Sequence, residues 1–135
     1  MVLAWVPLDD GYEVITGFMN IVHARNPGAA FSMFAGLSRW FFVAVSVIAV
    51  LVIGWLIFES QELSPLLFAG YSLFLGGAVG NLIDRIRFGE VIDFLDLYTG
   101  NFHWPAFNVA DSALSVGTAC FFIHILTTRQ KKTTS

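Results

Sequence analysis

Charge is what this sequence has least of: 13% of its 135 residues are Asp, Glu, Lys or Arg, about half the roughly 25% of an ordinary soluble domain. The net charge of −3 comes with no dense basic patch, which excludes a nucleic-acid-binding surface built to neutralise phosphates. The single cysteine, Cys120, excludes an internal disulfide framework and a cysteine metal cluster. It lies inside an apolar run and reads as a small packing residue. The three histidines lack metal-ligand spacing: His23 and His103 fall in loop regions, and His124 sits near the far end of the last apolar run. A zinc site would want two ligands on one helix turn or an equivalent cluster. There is no nucleophilic serine elbow, no serine–lysine arrangement and no glycine loop for phosphates. Internal repeats and low-complexity segments are also missing.

What remains is apolar. Hydrophobic residues make up 56% of the chain and the mean hydropathy is +0.72. Three segments approach the roughly 20 apolar residues needed to cross a bilayer: Trp40–Phe58, Leu66–Ile83 and Val109–Leu126. The first carries no charge at all. In the third, Ala110, Ala113 and Gly117 recur at helical spacing, which suits close helix packing. The fold expected is an all-α membrane protein with three transmembrane helices and a small β element outside the membrane, forming one domain over residues 1–135. The segments outside the membrane that carry it are about 9–39 and 84–108. In the first, "MNIVHARN" alternates loosely as a strand and "NPGAAFS" reads as a turn. The second begins as a loop at Asp84 and holds a tight turn at "RFGE" and a strand-like "VIDFLDLY".

Connectivity brings the polar groups to one face. The short "ESQELSP" makes the first two spans a hairpin, so residues 39 and 84 emerge on one side of the membrane and the third span starts there too. "ARNPGAAFS", "GNLIDR", "VIDFLD" and "FNVAD" therefore converge. Orientation is not decided by charge: Arg129, Lys131 and Lys132 lie at one end and Arg25, Arg39, Arg85 and Arg87 at the other, against the positive-inside expectation of a clear excess.

Asp111 stands three residues after Asn108 at the head of the third span. One reading is a helix cap, with Asn108 at the N-cap and the carboxylate at the positive end of the helix dipole. The other is a carboxylate kept at the membrane boundary for chemistry. Asp93, between Ile92 and Phe94, is its natural partner, against the bland reading of a solvated loop acid that fits Asp96. Two carboxylates sharing a site hold one proton between them. Such a pair activates a water with one member and protonates the leaving amine with the other. Asp84 and Arg85 either mark the membrane boundary or, with Asn81, serve the site.

Taken in order, "RNPGAAFS", "GGAVGNLIDR", "VIDF" and "FNVADSALSVG" resemble the bacterial lipoprotein signal peptidase family, signal peptidase II. The resemblance implies an aspartic endopeptidase that removes signal peptides from prolipoproteins just before a diacylglyceryl-modified cysteine. It implies Asp93 and Asp111 as the catalytic dyad, with Asn26, Gly77, Asn81, Asp84, Arg85 and Asn108 at other active-site and substrate-contact positions. It also implies the bacterial inner membrane, a site facing the periplasm and a cytoplasmic C-terminus, so that the β element and segments 9–39 and 84–108 are extracytoplasmic. Its implied partners are lipid-modified prolipoproteins and membrane lipids, with no nucleic acid, and it implies no metal or organic cofactor. Segments 13–36 and 86–104 would form a cradle and a lid. The family has four spans, the first carrying an Asp-Gln-x-x-Lys pattern; this chain is expected to lack it, since residues 1–8 are too short to cross. The alternative function is therefore a catalytically silent, truncated membrane fragment or binding protein of the same fold. A third, a transporter or channel subunit using Asp111 and Asp84, would need polar residues deep in the first two spans, which are apolar through their middles.

Overall fold

The computed structural model describes residues 5–28, 36–59 and 64–133. Its elements run β1 (Gly11–Ile15), β2 (Met19–Asn26), α1 (Arg39–Glu59), α2 (Pro65–Phe88), β3 (Val91–Thr99), β4 (Phe102–His103) and α3 (Val109–Thr133). The chain forms two compact units, one of Met1–Val43 with Ile83–Val109 and one of Ala44–Leu82 with Ala110–Ser135. Segments Arg39–Glu59, Pro65–Phe88 and Val109–Thr128 are each long and apolar enough to cross a membrane, as expected. Residues 29–35 of the "NPGAAFS" turn, residues 60–63 of the interhelical connection, the first four residues and the last two lie outside the described residues.

The first unit holds an antiparallel sheet in the order β1-β2-β3-β4. β1 and β2 form a hairpin whose turn uses Gly17 at φ 74, a left-handed conformation that costs glycine little. β1 was not foreseen, and the reason is physical: every residue of it is exposed, so it carries no inward-outward alternation to read. β2 pairs with β3, with Ile21 opposite Leu95 and Ala24 opposite Asp93. Val22 and His23 thus stand against Phe94 alone, a bulge on β2 that bends the strand locally. His23 is accordingly a buried strand residue rather than a loop one, with its Nδ1 3.0 Å from the Val6 carbonyl. A carbonyl only accepts, so the proton is on Nδ1. His103, also expected in a loop, lies in β4 opposite Tyr98.

The loop expected to begin at Asp84 begins later, because α2 continues to Phe88. Charge ends a membrane span but does not end a helix. The stop is Gly89, at φ 84, whose N–H returns to the Arg85 carbonyl at 3.0 Å and closes the last turn. Any Cβ there would also crowd Arg39 Nη1 at 3.3 Å.

In the second unit α2 and α3 approach through small residues. A Cβ on Gly70 would meet the Phe121 ring at 2.9 Å; on Gly77, the Ala110 carbonyl at 2.5 Å; and on Gly117, the Gly70 carbonyl at 2.8 Å. Ala110, Leu114, Gly117 and Phe121 stand on the α3 side of this seam, and Ala110 and Gly117 are two of the small residues whose spacing suggested it. Phe121 packs against the rings of Tyr71 and Phe74, with centroids 5.0 and 6.0 Å away. Without a hydrophobic drive between helices in lipid, such close backbone approach supplies the dispersion that holds them. Ser64 Oγ caps the start of α2 by accepting the Leu67 N–H at 3.2 Å, and lies 3.2 Å from His124 Nδ1 of α3.

The seam makes a direct prediction. Gly117→Ala would force α3 away from the α2 backbone and cost about 1–3 kcal/mol, seen as a lower Tm in detergent. Gly54→Ala, where a Cβ meets nothing within 4 Å, would leave the Tm unchanged or raise it slightly.

Candidate active site

Asp93 is the most enclosed acid of the first unit, with 3% of its surface exposed. Position 93 lies one pleat from Val91 on β3, both of them buried. Leaving an ionised carboxylate there without donors would cost far more than the fold can offset. Both oxygens are served: Asn26 Nδ2 donates to Oδ2 at 3.0 Å and Asn108 Nδ2 donates to Oδ1 at 2.9 Å. The solvated-loop reading of Asp93 is therefore overturned by burial.

The two amides are themselves held. Asn26 Oδ1 accepts the Gly28 N–H at 3.0 Å, an Asx turn that uses the oxygen and leaves the NH2 facing Asp93. Arg85 Nη2 donates to the Gly28 carbonyl at 3.0 Å, and its guanidinium lies 5.4 Å above the Phe42 ring. Asp84 Oδ2 accepts the Ile92 N–H at 3.2 Å, fixing β3 one residue before Asp93. Asn108 is anchored by the strand-like pairing of Phe107 with Leu95, in which Phe107 N–H donates at 3.0 Å and its carbonyl accepts at 2.8 Å. Asn26, Asp84, Arg85 and Asn108 thus gather around Asp93 as the motifs suggested. Asp84 and Arg85 act on backbone groups beside it, which their positions in the sequence did not reveal.

In the second unit Asp111 sits in the first turn of α3. Its Oδ1 accepts from the Asn81 Nδ2 of α2 at 2.8 Å, and Asn81 is buried. Gly77, one helical turn before Asn81, is where α2 admits the Ala110 carbonyl, so the residue next to Asp111 seats against α2. Asn108 stands directly before α3 as the cap reading required, and its side-chain amide is turned to Asp93.

Asp96 was expected to be solvated and is not: it is 9% exposed. Asn20 Nδ2 donates to its Oδ2 at 2.8 Å, and His103 Nδ1 lies 2.9 Å from the same oxygen. The His103 ring stacks on Tyr98, centroids 5.1 Å apart. Tyr98 donates its hydroxyl hydrogen to Glu13 and accepts the Gly17 N–H at 2.9 Å, so it clamps the β1–β2 turn. The cross-strand pair Asn20–Asp96 was the signal for this cluster, legible only once the register is known. Among the described residues no group of three or more His, Cys, Asp or Glu is placed to hold a metal.

The Tyr98 hydroxyl, and after it that of Thr16, hold the Glu13 carboxyl below its ordinary value of 4.5. The same bond raises the Tyr98 phenol above 10.0. The lowered acid stabilises the fold above its unfolded value and loses that contribution as pH falls through the folded one. The raised phenol contributes below its unfolded value and loses it as pH rises through the folded one. Both groups are solvated, so the gain is small. Tyr98→Phe is expected to return Glu13 upward toward 4.5, measured by NMR titration of its carboxyl carbon.

Comparison with known proteins now bears on the site. Residues 1–127 match the family model described as signal peptidase (SPase) II. The lipoprotein signal peptidase of Desulforapulum autotrophicum is 46% identical over 130 residues, covering 93% of this chain and 80% of that protein. That of Syntrophus aciditrophicus is 43% identical over 129 residues, with the same coverage of 93% and 80%. A solved structure described as a bacterial membrane enzyme, obtained in meso at 2.3 Å, superposes with a TM-score of 0.87 at 33% identity, covering 97% of this chain and 80% of that one.

Proposed function

This chain belongs to the signal peptidase II family, and from that premise we propose that it is an aspartic endopeptidase of the bacterial inner membrane. Its substrates are diacylglyceryl-modified prolipoproteins, cut just before the lipidated cysteine. Membership of the family makes it a peptidase of lipoprotein signal peptides; the aspartic chemistry, the residues and the orientation are our reading. Asp93 and Asp111 form the dyad in one membrane peptidase domain over residues 1–135. One carboxylate takes a proton from an attacking water while the other gives a proton to the substrate. Asn26 and Asn108 hold the first acid, Asn81 holds the second, Gly77 seats the helix that carries it, and Asp84 and Arg85 brace the backbone around Asp93. The site faces the periplasm and the C-terminus lies in the cytoplasm.

The observation that carries this reading is the treatment of Asp93. A carboxylate buried to this depth and given a side-chain amide on each oxygen is held in place at a cost that a merely structural residue would avoid by being apolar. The second acid, Asp111, starts a span and is gripped by a buried amide in the same way. A lipid-anchored cysteine would keep the scissile bond at the membrane surface, where the head of a span and the end of a sheet carry these acids. The scheme uses water alone.

Cleavage of a diacylglyceryl-modified prolipoprotein by the purified protein tests it. The wild-type chain should release the signal peptide, and Asp93→Asn and Asp111→Asn should each lower the rate by at least about 100-fold, the scale of general acid–base catalysis. Undiminished cleavage by either variant would remove that residue from the chemistry.

A further inference from the structure

The β1–β2 hairpin borders a cavity of about 480 Å³ that the proposed chemistry does not use. Its wall includes Asp9, Asp10, Glu13, Asn20, His23 and Ala24, all in the first unit, and no Lys or Arg among the described residues lines it. Three acids alone make an ordinary solvated face, and His23 is what sets this wall apart. Its Nδ1–H is taken by the Val6 carbonyl at 3.0 Å, and Val6 is not part of the wall. The two nitrogens of an imidazole point to nearly opposite sides, so Nε2 turns away from Val6, on the cavity side of the ring. His23 is 5% exposed, and its Nε2 has no hydrogen-bond partner among the described residues. A buried acceptor left without a donor is costly and rare.

The wall narrows what the missing donor is. With Nδ1 protonated, Nε2 offers only a lone pair, so the ligand must bring an N–H or O–H. Three carboxylates and no basic residue favour a positive charge. Among the described residues no group of three or more His, Cys, Asp or Glu is placed to hold a metal, which favours a cation that brings its own hydrogens. A primary ammonium does so, with three donors around one compact charge. A zwitterionic lipid headgroup carries the same ammonium, but it would set its phosphate against the acids with no cation in the wall to receive it. Two of the acids are already fixed: Asp10 Oδ1 accepts the Gly11 N–H at 2.8 Å, and Glu13 accepts from Tyr98 and Thr16.

Position indicates which ammonium. Ala24 of the wall is paired with Asp93 across β2 and β3, and the wall continues along β2 to Asn20 and across to its pair, Glu13. Strands lie about 4.8 Å apart and an extended chain advances about 3.3 Å per residue. A polypeptide leaving Asp93 therefore reaches the acids within about three to five residues. On the proposed function the apolar signal peptide stays in lipid, and the segment after the lipidated cysteine is what leaves it. Resting on that reading, we infer that the hairpin cavity is a substrate subsite for a lysine side chain in that segment, whose ammonium donates to His23 Nε2 and faces Asp9, Asp10 and Glu13.

The test uses diacylglyceryl-modified peptides that differ in a single residue after the cysteine: lysine, norleucine or trimethyl-lysine, moved through successive positions. At one position kcat/KM for lysine should exceed that for norleucine by about fivefold, the scale of a charge-assisted contact partly open to water. Trimethyl-lysine, which keeps the charge and loses the N–H donors, should fall between them. Asp9→Asn combined with Asp10→Asn keeps an acceptor for the Gly11 N–H and a residue that tolerates the φ of 60 at position 9. It should bring the preference below about twofold while the norleucine peptide is cut as before. His23→Asn keeps an amide for the Val6 carbonyl, removes Nε2, and should lower lysine to the trimethyl-lysine value. Equal rates for lysine and norleucine at every position, or a preference that survives both variants, overturns the subsite. Equal peptide rates with a phosphatidylethanolamine dependence that the variants abolish would give the cavity to lipid and overturn it too. Binding separates the subsite from the chemistry. In Asp93→Asn the lysine peptide should shift the His23 ring nitrogens in NMR spectra, and the norleucine peptide should not. If that shift appears but the wild-type chain cleaves nothing, or Asp93→Asn still cleaves, the proposed function falls and the lysine site stands. Intact cleavage without the shift removes the subsite alone.

Discussion

Removing a carboxylate from water is the most expensive local event in this fold, and much of the first unit is arranged around doing it at Asp93. With both oxygens taken by side-chain amides, each bond being worth about 1.5–3 kcal/mol to a charged group, the acid can stay buried within β3. Those amides are useful only if the backbone delivers them accurately. The Asx turn at Gly28 orients Asn26, Arg85 ties down the carbonyl of that turn, and Phe107 pairs with Leu95 to deliver Asn108. The bulge that sets Val22 and His23 against Phe94 lets β2 meet β3 so that Ala24 lies across from Asp93 and Asn26, at the strand's end, reaches it. Each of these contacts helps bring an amide to Asp93.

The second unit applies a different physics to a similar need. In lipid, helices gain little from burying apolar surface against each other, so close contact has to come from missing side chains. Gly70, Gly77 and Gly117 provide it. The result for Asp111 is that its neighbour Ala110 rests against α2 at the level of Gly77, and Asn81, one turn on, meets the carboxylate. Gly77 and Gly80 of "LGGAVGN" are therefore packing residues that admit Ala110, the neighbour of Asp111, whereas a Cβ on Gly76 would meet nothing within 4 Å.

Much of this was legible in the residues. Three apolar runs of spanning length announce themselves by composition, and four ordered motifs pointed to the family that the comparisons then bore out. Less legible were the features that depend on partners distant in sequence. β1 is exposed along its whole length and has no periodicity to betray it. Asp96 reads as an ordinary loop acid until the register sets it opposite Asn20 and the β3–β4 hairpin brings His103 to it. Asp84 and Arg85 read equally as a membrane boundary or as site residues, and their polarity does not show that the helix runs on until Gly89 supplies a backbone angle that other residues resist.

The sequence by itself determined which segments can cross a membrane, which carboxylates have apolar neighbours and which amides stand near them along the chain. These are properties of composition and local order, and lipid and water act on them segment by segment. Only the tertiary structure decided which amide serves which acid. That choice rests on strand register, a one-residue bulge and the close approach of two glycine-bearing helices. Each shifts a donor by several ångströms, and a hydrogen bond tolerates only a few tenths of one.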